Sequence, residues 1–201
     1  MGYRVCEIFY SLQGEGGQSG RAAVFCRFAG CNLECPFCDT DWQSTDRPGG
    51  GDYDSSESLV EALKETIPEG VSGALPMVVF TGGEPALQLT AELLDAVHRE
   101  GFDISIETNG TLPLPEGIDW ICVSPKTAGK LAVLNGSELK IPYPQDSVDP
   151  ASFEHLDFRH FFIQPIDGPE RDLNIRRAID YCLSHPRWRL SLQLHKTLSI
   201  P

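Results

Sequence analysis

The sequence predicts an α/β fold, an incomplete, open (β/α) barrel of about six mostly parallel strands with three main helices. Three observations carry this expectation. Short runs of β-branched and aromatic residues recur along the chain, and several are nearly continuous in apolar character, as strands covered on both faces tend to be. Stretches with helical periodicity fall between them. The elements are nevertheless too few for eight complete strand-helix units.

In chain order, strands are expected at 3–9 (YRVCEIF), 22–28 (AAVFCRF), 76–81 (PMVVFT) and 103–107 (DISIE), then at 119–123, 138–142, 160–164 and 188–194. The first helix is expected over 55–67, with Leu59, Val60, Leu63 and Ile67 as its apolar stripe and Asp54 and Glu57 as a cap pair. The second covers 90–100, with Thr90 as cap, Leu93, Leu94 and Val97 inward and Gly101 closing it in a left-handed conformation. The third covers 172–185, with Ile175, Ala178, Ile179 and Cys182 at helical spacing and Pro186 as its stop. Residues 47–54, with three glycines, read as a loop.

At 201 residues the chain suits one domain spanning 1–201. Its formal charge of -13 repels phosphate backbones and anionic membranes, so neither nucleic acid nor membrane is expected as a partner. The amino-terminal run MGYRVCEIFYSLQGEG has no long apolar core and no small-residue cleavage site, and a cytoplasmic location is expected. Seven cysteines, an odd number without a secretion signal, fit a reducing compartment. Cys6, Cys26, Cys122 and Cys182 sit in apolar patterns as buried thiols.

The other three cysteines, Cys31, Cys35 and Cys38, crowd into GCNLECPFCDT within a loop at 29–52. A structural zinc site calls for four tight ligands, normally as two pairs, and there is no second pair. Asp39 directly follows Cys38, too near to reach the same ion without strain. A four-iron, four-sulfur cluster held by three thiolates leaves one iron open for chemistry. The loop follows the strand ending at Phe28, at the end of the barrel where active sites collect. Spacing alone leaves zinc and iron both open.

CNLECPFC resembles the CxxxCx-aromatic-C signature of radical S-adenosylmethionine enzymes, with Phe37 in the aromatic position, and Thr81-Gly82-Gly83-Glu84-Pro85 resembles their GGEP motif. EIFYSLQGEG, the CDT after Cys38, IETNG at 106–110, VSPK at 123–126 and QLHK at 193–196 resemble, across essentially the whole chain, the 7-carboxy-7-deazaguanine synthase family. The resemblance implies a 4Fe-4S cluster on Cys31, Cys35 and Cys38, whose open iron chelates S-adenosyl-L-methionine. It also implies a carbon-nitrogen lyase that converts 6-carboxy-5,6,7,8-tetrahydropterin to 7-carboxy-7-deazaguanine with loss of ammonia, toward deazapurines such as queuosine. A homodimer and an electron donor such as flavodoxin or ferredoxin are implied as well.

Site residues follow from the same resemblance. Phe37, Thr81, Gly82, Gly83, Glu84, Ser124, Lys126 and Gln164 are expected at the cofactor, with the glycines admitting close backbone approach and Glu84 supplying a carboxylate for the methionine ammonium. Leu12, Gln13, Gly14 and Glu15 are expected over the substrate, Arg27 as a fork for its carboxylate, and Glu107 as acceptor for the pterin N–H edge. His195 and the terminal carboxylate of Pro201 are expected to contact it too, and Thr40 to bind Mg2+ beside substrate oxygens and water. No catalytic residue is expected beyond those that position cofactor and substrate. Two alternatives stand beside this reading, an activase for a glycyl radical enzyme and a zinc-stapled interaction domain.

Overall fold

The computed structural model describes residues 2–201. Strands β1 (Tyr3–Leu12), β2 (Ala22–Phe28), β3 (Gly51–Tyr53), β4 (Met77–Gly82), β5 (Ile104–Thr108), β6 (Trp120–Val123), β7 (Asn135–Tyr143), β8 (Asp157–Pro165) and β9 (Trp188–Leu190) form one sheet in the order β3-β1-β2-β4-β5-β6-β7-β8-β9. From β2 through β9 neighbours run parallel, while β1 is antiparallel to both β2 and β3. The sheet ends at β3 and β9 without closing, so the expected open, partial barrel is what forms. No helix among the described residues is long and apolar enough to cross a membrane.

Helices α1 (Ser56–Glu65), α2 (Ala91–Arg99) and α3 (Arg171–Ser184) cover the outer face, and a short α4 (Leu194–Leu198) lies near the carboxyl terminus. Leu59 and Leu63 of α1 and Leu93, Leu94 and Val97 of α2 are fully buried with Val24, Cys26, Phe28, Val78, Phe80, Ile104 and Ile106. A second cluster joins Leu139, Ile141, Phe161 and Ile163 to Trp188 and to Ala178 of α3. Strand alternation turns the intervening residues, among them Arg27, Thr81, Glu107, Glu138 and Lys140, away from these clusters. Thr90 caps α2 by accepting from the Leu93 N–H, and Gly101 (φ 86°) ends it in the left-handed region.

Four expectations need correction. The α1 cap is Ser55, which exchanges hydrogen bonds with Ser58 in a capping box, not Asp54 with Glu57. Residues 51–53 are not loop but the edge strand β3, recruited by pairing Tyr3 with Tyr53 and Val5 with Gly51. Strand 188–194 is too long, because β9 stops at Leu190 and Leu194 already begins α4. The α3 stripe is also narrower than its spacing suggests: Ala178 and Asn174 are its buried residues, Ile179 is exposed and Cys182 half-buried.

Candidate active site

The parallel strands point their carboxyl ends into one cavity of about 420 Å3. Every residue expected at cofactor, substrate or metal lines it except Glu84. The cysteine loop forms one wall. Cys31 and Cys35 are half-buried, Cys38 is exposed, all three are free thiols, and a turn from Cys35 O to Cys38 N (3.0 Å) keeps the last two together. Phe37 and Thr40 face the same space. Asn32 ties the loop to the turn after β5, accepting from Asn109 Nδ2 (2.9 Å) and donating to Thr111 Oγ1 (2.8 Å).

The glycines after β4 hold that wall against the sheet. Gly83 N–H donates to Phe28 O (3.1 Å) and Glu84 N–H to Gly30 O (2.9 Å). A Cβ on Gly83 would lie 2.0 Å from Gly30 O and 3.0 Å from the Cys31 Cβ, so only glycine permits this approach. Glu84 departs from its expected place. It is fully buried, and its carboxylate already accepts from Thr108 Oγ1 (2.7 Å), Asn109 N–H (2.7 Å) and Ala86 N–H (3.0 Å). Burial pushes its pKa up despite those donors. Its carboxylate therefore braces the β4 and β5 turns instead of presenting itself to the cavity.

Another part of the lining is charged. A bulge in β1 between Val5 and Glu7 sets Glu7 directly across from Arg27. Arg27 Nε donates to Glu7 Oε1 (2.6 Å), which leaves the terminal guanidinium nitrogens without a protein partner among the described residues. Such a fork can take a carboxylate in two parallel bonds.

The floor holds a group that sequence reasoning missed. Lys140 of β7, its side chain 3% exposed, places Nζ 2.6 Å from Glu15 Oε2 and 2.9 Å from Glu107 Oε2. Glu107 Oε1 also accepts from Gln13 Nε2 (3.2 Å), and Glu15 Oε1 from Gln193 Nε2 (3.1 Å). Burial opposes ionisation of Glu15, but the Lys140 charge and hydrogen bonds from Lys140, Gln164 and Gln193 outweigh it and hold its pKa down to about 2. Burial raises that of Glu107 against the pull of Lys140, with Glu15 and Glu138 adding to the rise. The signal for Lys140 was in the strand itself: in SELKIPY, Glu138 and Lys140 alternate with Leu139 and Ile141, so the polar pair shares the inner face.

Ser124 and Lys126 follow β6, with Lys126 Nζ donating to Ser124 Oγ (2.9 Å), and burial foremost lowers the Lys126 pKa. Gln164, near the end of β8, accepts from Ser191 Oγ (2.9 Å). His195 stands on α4 and not behind a strand, and burial lowers its pKa, favouring a neutral imidazole. α4 reaches the cavity because Leu194 N–H donates to Gly14 O (3.0 Å); a Cβ on Gly14 would meet His195 Nδ1 at 2.5 Å. Pro201 O accepts from Ser11 Oγ (2.9 Å). Lys196 clasps the rim, with Nζ 2.5 Å from Asp39 Oδ2 and 2.9 Å from Asp167 Oδ2. That gives Asp39, to which the sequence assigned no task, a partner.

Comparison with known proteins defines the class first. Residues 26–133, just over half the chain, match the model of the Radical SAM superfamily. The chain is 54% identical to the 7-carboxy-7-deazaguanine synthase of Bordetella pertussis and 53% identical to that of Burkholderia multivorans, each over the full length of both chains. The crystal structure of QueE from Escherichia coli superposes with a TM-score of 0.71 at 29% identity, covering 96% of this chain and 94% of the other. The chain belongs to the 7-carboxy-7-deazaguanine synthase family of radical S-adenosylmethionine enzymes.

Proposed function

We propose that the chain is a 7-carboxy-7-deazaguanine synthase that contracts the ring of 6-carboxy-5,6,7,8-tetrahydropterin with loss of ammonia. One observation carries the reading: three free thiols stand on one wall of a single cavity, and a guanidinium fork and two carboxylates stand on the others. The donor set fits a 4Fe-4S cluster, since three thiolates from one short loop would leave one coordination position for S-adenosylmethionine. When bound, cluster and S-adenosylmethionine supply the electron and the hydrogen-abstracting radical.

The protein's own residues bind and orient. Arg27 takes the substrate carboxylate with its free guanidinium nitrogens. Glu107, held by Gln13 and Lys140, accepts from the pterin N–H edge, and Glu15 stands beside it. Leu12, Gly14, neutral His195 and the carboxylate of Pro201 complete the substrate wall. Thr81, Gly82, Gly83, Ser124, Lys126 and Gln164 line the part of the cavity assigned to S-adenosylmethionine, with Phe37 beside it. Thr40, which lines the cavity, would offer one hydroxyl to Mg2+, an ion that keeps waters and takes few protein ligands. With Lys196 and α4 closing the rim, the cavity holds the reacting carbon in place and keeps water out.

A homodimer, a flavodoxin- or ferredoxin-type electron donor and a reducing cytoplasmic setting complete the proposal, along with a place in queuosine biosynthesis. Anaerobic incubation of reconstituted protein with S-adenosylmethionine, reductant, Mg2+ and the carboxy-tetrahydropterin tests it. Formation of the deazaguanine with about four irons and four sulfides per chain is expected. S-adenosylmethionine cleavage without pterin turnover, or stoichiometric zinc in place of iron, would overturn it.

A further inference from the structure

Two carboxylates on separate elements, Glu15 in the turn after β1 and Glu107 on β5, converge on one buried ammonium. We infer that Lys140 is a positioning residue for the pterin edge: it holds Glu15 and Glu107 as fixed acceptors in the cavity floor before substrate arrives. The inference rests on the pterin reading, because only a ligand rich in N–H donors needs such a floor.

Both carboxylate side chains are 18% exposed, in a cleft where an unpaired anion would shed its charge by taking up a proton. A protonated carboxyl offers one acceptor fewer and adds a donor that opposes the pterin N–H groups. Lys140 uses one N–H on the Oε2 of each acid, so each Oε1 is left to amide donors, Gln193 on Glu15 and Gln13 on Glu107. Both carboxylates are thereby fixed from two sides, which lowers the ordering cost of binding.

Among the described residues no other cation pairs with either acid. Around Lys140 stand Glu15 from the β1–β2 turn, Glu107 from β5, Cys122 from β6 and Glu138 from β7 itself. Glu138 is spent on Gly17 N–H at 2.7 Å. The other charged or titratable neighbours are Lys126, which is near enough to act on Glu15 but gives its Nζ hydrogen bond to Ser124 Oγ, His195, whose pKa burial lowers, and Asp39 on the far side of Glu15, held by Lys196. Loss of the Lys140 charge leaves Glu15, Glu107 and Glu138 facing one another.

The test is Lys140→Met in the reconstituted enzyme, with kcat and KM measured separately for pterin and for S-adenosylmethionine from about pH 6 to about pH 9. The expected result is a pterin KM raised at least about tenfold at neutral pH, the effect of weakening one charge-assisted hydrogen bond. The defect should shrink as pH rises and the two acids regain their charge, while the KM for S-adenosylmethionine and the iron content stay near wild type. A merely structural lysine would lower cluster content or both kinetic constants together and would give no such pH trend. If Lys140→Met does not hold a cluster, Lys140→Met/Glu15→Gln is compared with Glu15→Gln alone, and the added loss of Lys140 should again raise the pterin KM in a pH-dependent way, now through Glu107 only. An unchanged pterin KM, or failure of both variants to hold iron, overturns the inference. Absence of pterin turnover in the wild-type arm overturns instead the reading on which it rests.

Discussion

Replacing Gly83 by alanine tests how the cysteine wall is held. The new Cβ would sit 2.0 Å from Gly30 O and 2.5 Å from the Gly30 carbonyl carbon, both backbone atoms that no rotamer can move. Relieving that overlap requires the turn after β4 and the start of the cysteine loop to part by about 1 Å or more. The Gly83 N–H to Phe28 O and Glu84 N–H to Gly30 O bonds, at 3.1 and 2.9 Å, then lengthen beyond useful range. Two backbone bonds at about 1 kcal/mol each, with about 1–3 kcal/mol of overpacking strain, amount to roughly 3 kcal/mol or more. For a chain of this size that corresponds to a melting temperature lowered by about 6–12 °C. Cys31 moves with Gly30, so iron content after reconstitution should fall by more than half. Gly20→Ala is the control: Gly20 carries a positive φ of 88°, a strain that Gly83 does not have, but among the described residues nothing lies within 4 Å of the added Cβ, and it should cost only about 1 kcal/mol. A Gly83→Ala protein with wild-type iron content and a melting temperature no lower than that of Gly20→Ala would refute the reasoning.

Other outcomes follow from the same geometry. Thr40→Ala should raise the Mg2+ concentration for half-maximal turnover about tenfold, and an unchanged magnesium titration would count against that ligand. Lys196→Met should cost little stability, about 1 kcal/mol, because the side chains it pairs are partly exposed. It should nonetheless hasten aerobic bleaching of the cluster about fivefold, read as loss of visible absorbance, and an unaltered rate would exclude a clasp. Glu15 has a folded pKa of about 2 against an ordinary 4.5, so its charge stabilises the fold above about pH 4.5 and that contribution is lost as pH falls toward 2. The stability difference between wild type and Glu15→Gln, from denaturant titration of the apoprotein, should therefore be largest above that window and vanish below it.

The strands were legible because their apolar runs are dense and their partners parallel, as AAVFCRF and MVVFT illustrate. β3 was not, since GDY carries no strand pattern and owes its conformation to the β1 edge beside it. Residues 191–194 continue the chemistry of a strand, yet α4 begins at Leu194, where the bond to Gly14 draws the chain inward. Tertiary context overrides local propensity there. The walls of the site were read from motif resemblance, because GCNLECPFCDT, the GGEP-like turn and QLHK lie at strand ends or on the helix the cavity recruits. Glu84 could not be placed by type alone, since whether a carboxylate faces ligand or scaffold depends on donors from another strand, here Thr108 and Asn109. Lys140 escaped because a lysine inside an apolar strand reads as an interruption until the inner face is known to hold acids.

The seam between the two ends of the chain bears on the order of assembly. Ser11 meets Pro201 across 190 residues, and Gly14 meets Leu194 across nearly as many. A chain still emerging from the ribosome would have the three thiols and β1 through β4 long before the segment that seals them. Contacts of such long sequence separation are entropically slow to close. The nascent protein thus passes through a stage in which the cysteine loop is solvent-facing and the cavity has no far wall, the stage at which preformed iron and sulfide have the freest approach.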